Sequence, residues 1–240
     1  MPNARARIIA DSRTGTPCSM TEPSGYVHGT LLTREATPLS VVRRSVYPGH
    51  PGGTTTARSR GGGSPMSSVS KGIKKVEVGL KWDPSTAGSP PNDLDIIAAT
   101  YAADAPYGKP VYLVHFDSRS PDGTITLNRD SRTGQGFGFD EVMVLELDRL
   151  APTYSRVVVG VAIQQQETQK VFGDITNTAV RIREGHTDLA QNDLAGVADS
   201  TAATIAEFTR DESGAWSFRE AIRGFDADPT SFASLMGSKT

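Results

Sequence analysis

The chain has 240 residues, with 25 Lys or Arg against 27 Asp or Glu, for a formal charge of -2 at neutral pH. That length admits one large domain or two small ones, and the balance carries no electrostatic footprint for nucleic acid. The single cysteine, Cys18, excludes an internal disulfide framework and a cysteine-rich zinc site.

The mean charge hides an asymmetry. Residues 1–65 hold eight Arg, no Lys and three acids, a charge of +5, so the remainder carries -7. Residues 1–66 are rich in Ser, Thr, Pro, Gly and Arg and show no sustained apolar period. Such a segment buries too little apolar surface to offset its ordering entropy, and it reads as disordered. Three roles compete for it: an Arg-rich arm for anionic partners, an organelle-type leader, or an upstream extension of a protein that starts at Met66. Every lysine lies after Met66, which favours the last. No apolar run approaches the ~18 residues that span a membrane. No basic start followed by an apolar core reads as a secretory signal. The expected address is cytoplasmic.

Residues 67–240 read as one all-β domain. Ile73–Trp82 alternates apolar and polar side chains, the period of a half-buried strand. Asp93–Tyr101 is apolar enough for an inner strand. Val111–Phe116 and Thr124–Leu127 flank Ser120-Pro-Asp-Gly123, which predicts a hairpin with Asp122-Gly123 at its tip. Further strands are expected at Val142–Leu147, Arg156–Ile163, Ala179–Arg183, Thr201–Phe208 and Ala215–Ile222, and a short capping helix at Pro229–Met236. Short strands at roughly 10-residue spacing predict a two-sheet antiparallel β-sandwich with peripheral helix.

The segment Asn128–Glu141 stands out. It carries Asp130, three alternating glycines (Gly134, Gly136, Gly138) and the acidic pair Asp140-Glu141. Alternating glycines let a backbone curl tightly and turn its carbonyls inward, and carboxylates beside them give a hard cation such as Ca²⁺ the oxygens it takes. Asp93 and Asp95, two apart at a strand start, share one face. Like charges so placed repel unless a cation lies between them. The candidate metal ligands are therefore Asp93, Asp95, Asp130, Asp140 and Glu141. The bland readings stay open: Asp93 as a turn cap with Asp95 solvated, and a metal-free glycine turn with Arg132 neutralising a neighbouring carboxylate. The loop is not an EF-hand. Asp130 and Glu141 fall at positions one and twelve, but Arg132 is at three, Gly134 at five, Gln135 at the glycine position six, and strands flank it.

Catalysis finds no support. His28, His50, His115 and His186 are scattered without metal-ligand spacing, and no phosphate-cradling Gly-Lys-Ser/Thr loop is present. His115 reads as a satisfied sheet residue, and Trp82 and Trp216 as core. A non-enzymatic protein is expected.

Six motifs occur in an order that resembles the TerD family of tellurium-resistance and stress proteins. They are Val78–Asp83, Asn92–Asp95, Ser120–Gly123, Arg132–Gly136, Phe172–Asn177 and the closing Trp216–Arg219 with Gly224-Phe225. The resemblance runs from about Ser70 to Met236 and implies a β-sandwich that binds Ca²⁺ through the glycine loop and the Asp-x-Asp strand. It also implies a role in tellurite and stress resistance through assembly with protein partners, other TerD-like proteins included. The family loop reads Gly-Asp-Asn-x-Thr-Gly-x-Gly-Asp-Gly-Asp-Asp-Glu. Here Asp130, Asp140 and Glu141 match, but Phe137 and Phe139 replace two aspartates and Ser131 replaces asparagine. Gln164-Gln165 stand where the family often has His-Asp or His-Glu. Affinity in such loops follows the number of charged ligands, so the expected Ca²⁺ binding is weak and single-site, or lost. Phe137 and Phe139, two apart, are expected on one side of the loop. Exposed, they would suit a protein partner or a membrane periphery; buried, they would anchor the loop in place of the ion.

Overall fold

A computed structural model describes residues 72–166 and 169–239; the N-terminal segment and its competing roles lie outside the described residues. In chain order the strands are β1 Lys75–Lys81, β2 Leu94–Ala102, β3 Tyr112–Val114, β4 Ile125–Arg129 and β5 Glu141–Glu146. Then come β6 Tyr154–Ile163, β7 Ala179–Glu184, β8 Thr187–Asn192, β9 Ala202–Arg210, β10 Trp216–Phe225 and the helix α1 Pro229–Leu235. One sheet has the order β4-β5-β1-β7-β8 and the other β10-β9-β6-β2-β3, with all pairings antiparallel. This is the expected sandwich.

Its core follows from alternation. Val76, Val78 and Leu80 of β1 face Leu94, Ile96 and Ala98 of β2 and Val157, Val159 and Val161 of β6 across the two inner faces. Trp82 is fully buried, and its Nε1–H donates to the carbonyl of Asn92 at 2.9 Å, so the indole fills space without stranding its donor. A second cluster lies on the outer side of the β2/β6/β9 sheet, where Ile97, Ala99, Tyr101 and Val158 meet Phe232 and Met236 of the α1 region. The helix starts where Asp228 accepts hydrogen bonds from the N–H groups of Thr230 and Ser231, with Pro229 in the first turn.

Two expectations need correction. The hairpin over Ser120–Gly123 does not form: β3 pairs with β2 and β4 with β5, so this turn carries the chain from one sheet to the other. Its closure is made by side chains. Ser120 Oγ donates to the Ile125 carbonyl at 2.9 Å and accepts from the Ile125 N–H, while Asp122 Oδ1 accepts from Thr124 N–H and Oγ1–H. A turn that satisfies its own backbone needs no ladder between its flanks. The second correction is β8, absent from the sequence reading. Thr187–Asn192 is an edge strand with no fully buried residue, its adjacent Leu189 and Ala190 only partly covered by the core, so it lacks the alternation by which strands are recognised.

Candidate metal centre

β5 begins at Glu141, immediately after the glycine loop, and pairs there with Leu80 of β1. The Glu141 side chain is fully buried and its Oε2 accepts the Ile96 N–H at 2.7 Å. Because Ile96 belongs to β2, this one carboxylate links the two sheets. Its neighbour on β2, Asp95, is also buried, and Asp95 Oδ2 accepts from Gln164 Nε2 at 2.6 Å. Asp130, at the end of β4, is exposed and completes a trio: one carboxylate oxygen each from Asp95, Asp130 and Glu141 lies within 4.8 Å of the others.

The electrostatics of the trio are unbalanced. Burial pushes the Glu141 carboxyl well above the ordinary carboxylate range. The Asp95 charge and the adjacent Asp130 carboxyl push it further, and the Ile96 N–H only partly opposes them. Glu141 Oε1 and Asp140 Oδ1 are buried and receive no hydrogen bond from any described residue. A buried acceptor left in that state costs about 1–3 kcal/mol. A proton or a cation relieves that cost, and a donor set of oxygens alone suits a hard divalent ion.

The other two expected ligands, Asp93 and Asp140, fall outside the trio. Asp140 is buried, its Oδ2 accepts the Trp82 N–H at 3.1 Å, and its own N–H donates to Leu80. It pins the end of the loop to the end of β1. Asp93 is buried just before β2, and its carbonyl accepts the Gln164 N–H at 2.8 Å.

The loop is built as the glycines suggest. Gly134, Gly136 and Gly138 all have positive φ, at +65°, +139° and +81°. Gly134 is the most constrained, since a Cβ there would sit 2.6 Å from the Trp82 indole. The two phenylalanines do not share a side, contrary to expectation. Phe137 is 99% exposed, whereas Phe139 turns back so that its ring lies on Gly79 of β1, where a Cβ would fall 2.6 Å from the ring. Period-two alternation holds for extended backbone, and glycines at positive φ break it.

Two residues beyond the expected ligands shape the site. Arg129 Nη1 donates to the Phe137 carbonyl at 3.1 Å, and a side chain at Gly136 would meet Nη2 at 3.1 Å. The guanidinium thus fills the concave side of the loop. The signal was legible: Arg129 stands where the family loop pattern opens with glycine. Gln164, treated as a neutral replacement, supplies the hydrogen bond that orients Asp95.

The fold and site therefore define a β-sandwich with an acidic cluster beside a glycine-rich loop, three of whose carboxylates could hold a metal ion. A sequence model described as the TerD domain matches residues 56–234, and the chain belongs to the TerD family. "Tellurium resistance protein TerD" of Alcaligenes sp is 30% identical over 184 residues, spanning 75% of this chain and 95% of that protein. "General stress protein 16U" of Bacillus subtilis (strain 168) is 25% identical over 190 residues, or 76% of this chain and 97% of that one. A solved homologue of a telluride resistance protein (TerD) from Streptomyces coelicolor A3(2) is 61% identical, with a TM-score of 0.69, and covers 70% of this chain and 100% of its own. Among the described residues no helix is long and apolar enough to cross a membrane.

Proposed function

We propose that this protein is a non-enzymatic binding module of the stress and tellurite-resistance type, carrying one divalent-cation site of weakened affinity. The observation that carries the reading is the convergence of Asp95, Asp130 and Glu141 from β2, β4 and β5 within 4.8 Å. Asp95 and Glu141 would hold Ca²⁺ from the protein side, with Asp130 closing the site toward solvent. A Ca²⁺ ion takes six to eight oxygens; three carboxylates and neighbouring carbonyls meet that number only with water. The rest of the loop does not offer a second site. Aromatic rings replace two potential anions, and the Arg129 guanidinium already supplies positive charge to the loop carbonyl that a second cation would seek.

Calorimetric titration of the full chain with Ca²⁺ tests this reading. The expected result is one site with a dissociation constant in the range of about 10⁻⁴–10⁻³ M, the weak end of protein calcium sites. Glu141→Gln abolishes it. Two sites, or binding tighter than about 10 µM, the limit of ordinary sensor sites, would refute it.

A second reading, a partner- or membrane-facing loop in place of the ion, draws on Phe137 alone. Its ring is 99% exposed on a glycine-flanked tip, while Phe139 is spent on Gly79. Vesicle co-sedimentation that survives Phe137→Ser would remove that reading.

A further inference from the structure

At the other sheet, on the outer side of β6, β9 and β10, lies a cavity of about 310 Å³ that the cation centre does not involve. Its lining includes Arg156, Arg219, Arg223 and Lys239, with Glu207 the single carboxylate, a formal charge of +3. This stands out in a body whose residues from Met66 onward carry -7. The four cations are held differently. Arg156 is 5% exposed and anchored: its Nε donates to Glu207 Oε1 at 2.8 Å and its Nη1 to the carbonyls of Pro106 and Gly237. Arg219 pairs with the other oxygen of Glu207 but keeps its side chain 68% exposed. Arg223 meets no carboxylate among the described residues; it donates to Ser238 Oγ at 2.9 Å and stacks on Phe225, 4.4 Å from the ring centre. Lys239 lies over the Tyr107 ring at 4.6 Å, again without an anion.

Glu207 therefore answers for two of the four cations, and the other two face neutral carbonyls, a hydroxyl and aromatic rings. Such partners hold the cations in place without cancelling their charge. A concave wall focuses the remaining potential on the space it encloses. The cavity volume falls at the small end of the range for small-molecule sites. Arg and Lys together are the donors that recognise phosphoryl oxygens, Arg through its planar fork and Lys as a point charge. Val158, Ile222 and Met236 complete the wall with apolar surface, which suits a carbon group attached to the anion.

We propose that this cavity is a binding site for a phosphoryl group carried on a small molecule, with Arg219, Arg223 and Lys239 as its direct contacts and Arg156 as the buried positive floor. The site shares no residue with the Asp95–Asp130–Glu141 trio and does not rest on the calcium reading. The probe is inorganic pyrophosphate, titrated calorimetrically into the full chain with chloride held at matched ionic strength. Saturable binding is expected, weakened about tenfold or more by Arg219→Ala or Lys239→Ala, the scale of one lost charge-assisted hydrogen bond. Arg219→Lys should restore part of it, and Glu141→Gln should leave it untouched. Both tested side chains are at the surface end of the site, and thermal melts without ligand confirm that each variant folds. A parallel arm uses phosphatidylcholine vesicles with and without phosphatidic acid. Pyrophosphate binding lost in the variants, with or without vesicle binding, supports the site. Absence of saturable pyrophosphate binding, affinity unchanged in both alanine variants, or binding to vesicles alone overturns it.

Discussion

The molecule buries charge in two places and treats it in opposite ways. Around Glu207 the charges are matched: Arg156, 5% exposed, and Arg219 grip both oxygens of one carboxylate. Around Glu141 like charges gather, with one carboxylate oxygen each of Asp95 and Asp130 brought within 4.8 Å of a third. The buried Arg156–Glu207 pair is complete within the chain and serves the fold, while the exposed Arg219 also faces the cavity beside it. A cluster of like charges gains from a proton or a cation, which makes it a candidate site.

That contrast can be broken, or sharpened, by experiment. The largest effect is expected for Arg156→Ala. It leaves Glu207 without its buried partner and frees two backbone carbonyls, which should cost about 3–5 kcal/mol in urea unfolding. A cost below 1 kcal/mol would mean that the matched pair is not structural. Gly134→Ala places a Cβ against Trp82 at positive φ, with an expected loss of about 2–3 kcal/mol and with disruption of whatever the trio binds. For the trio itself, saturating Ca²⁺ should stabilise the wild-type chain by about 1–3 kcal/mol and should do nothing for Glu141→Gln, as read by thermal shift with and without chelator. An equal shift in both proteins would place the ion elsewhere.

Acid should also distinguish the two regions. Burial pushes the Glu207 carboxyl up, but the hydrogen bonds from Arg156 and Arg219 outweigh it, so the group sits below its ordinary value of 4.5. The folded state then binds fewer protons than the unfolded one just under that value. Stability from this group is full above 4.5 and is lost as pH falls through the depressed folded value. Melting curves through the acid range should show this loss, and Arg219→Ala should reduce it. The smallest effect is expected for Phe137→Ser, within about 0.5 kcal/mol of wild type, since the ring touches little.

Much of the frame was legible because burial imposes a period. Strands such as Ile73–Trp82 and Arg156–Ile163 alternate or run apolar and lie within two residues of where they were expected. What escaped notice lacks that imprint. β8 has no fully buried residue, and the Ser120–Gly123 turn has hairpin chemistry but uses it to change sheets. In the centre, chemistry-bearing residues were legible as types: Asp95, Asp130 and Glu141, three of the five expected carboxylates, come together. Which three would converge was not legible, since it depends on how the strands and the loop bring their oxygens together across the sheets. Arg129 and Gln164 were legible only as departures from the family pattern, and their contacts arise from where the loop and the end of β6 bring them.

The seating of Phe139 on Gly79 sets what the loop depends on. A loop held only by carboxylates around an ion loosens when the ion is chelated or screened by salt. A ring pressed into the one position of β1 without a side chain is held by contact and by exclusion of water, which neither chelator nor ionic strength removes. The loop should therefore keep its place in high salt whether or not a cation is bound, and Gly79→Ala should free it under any ionic condition.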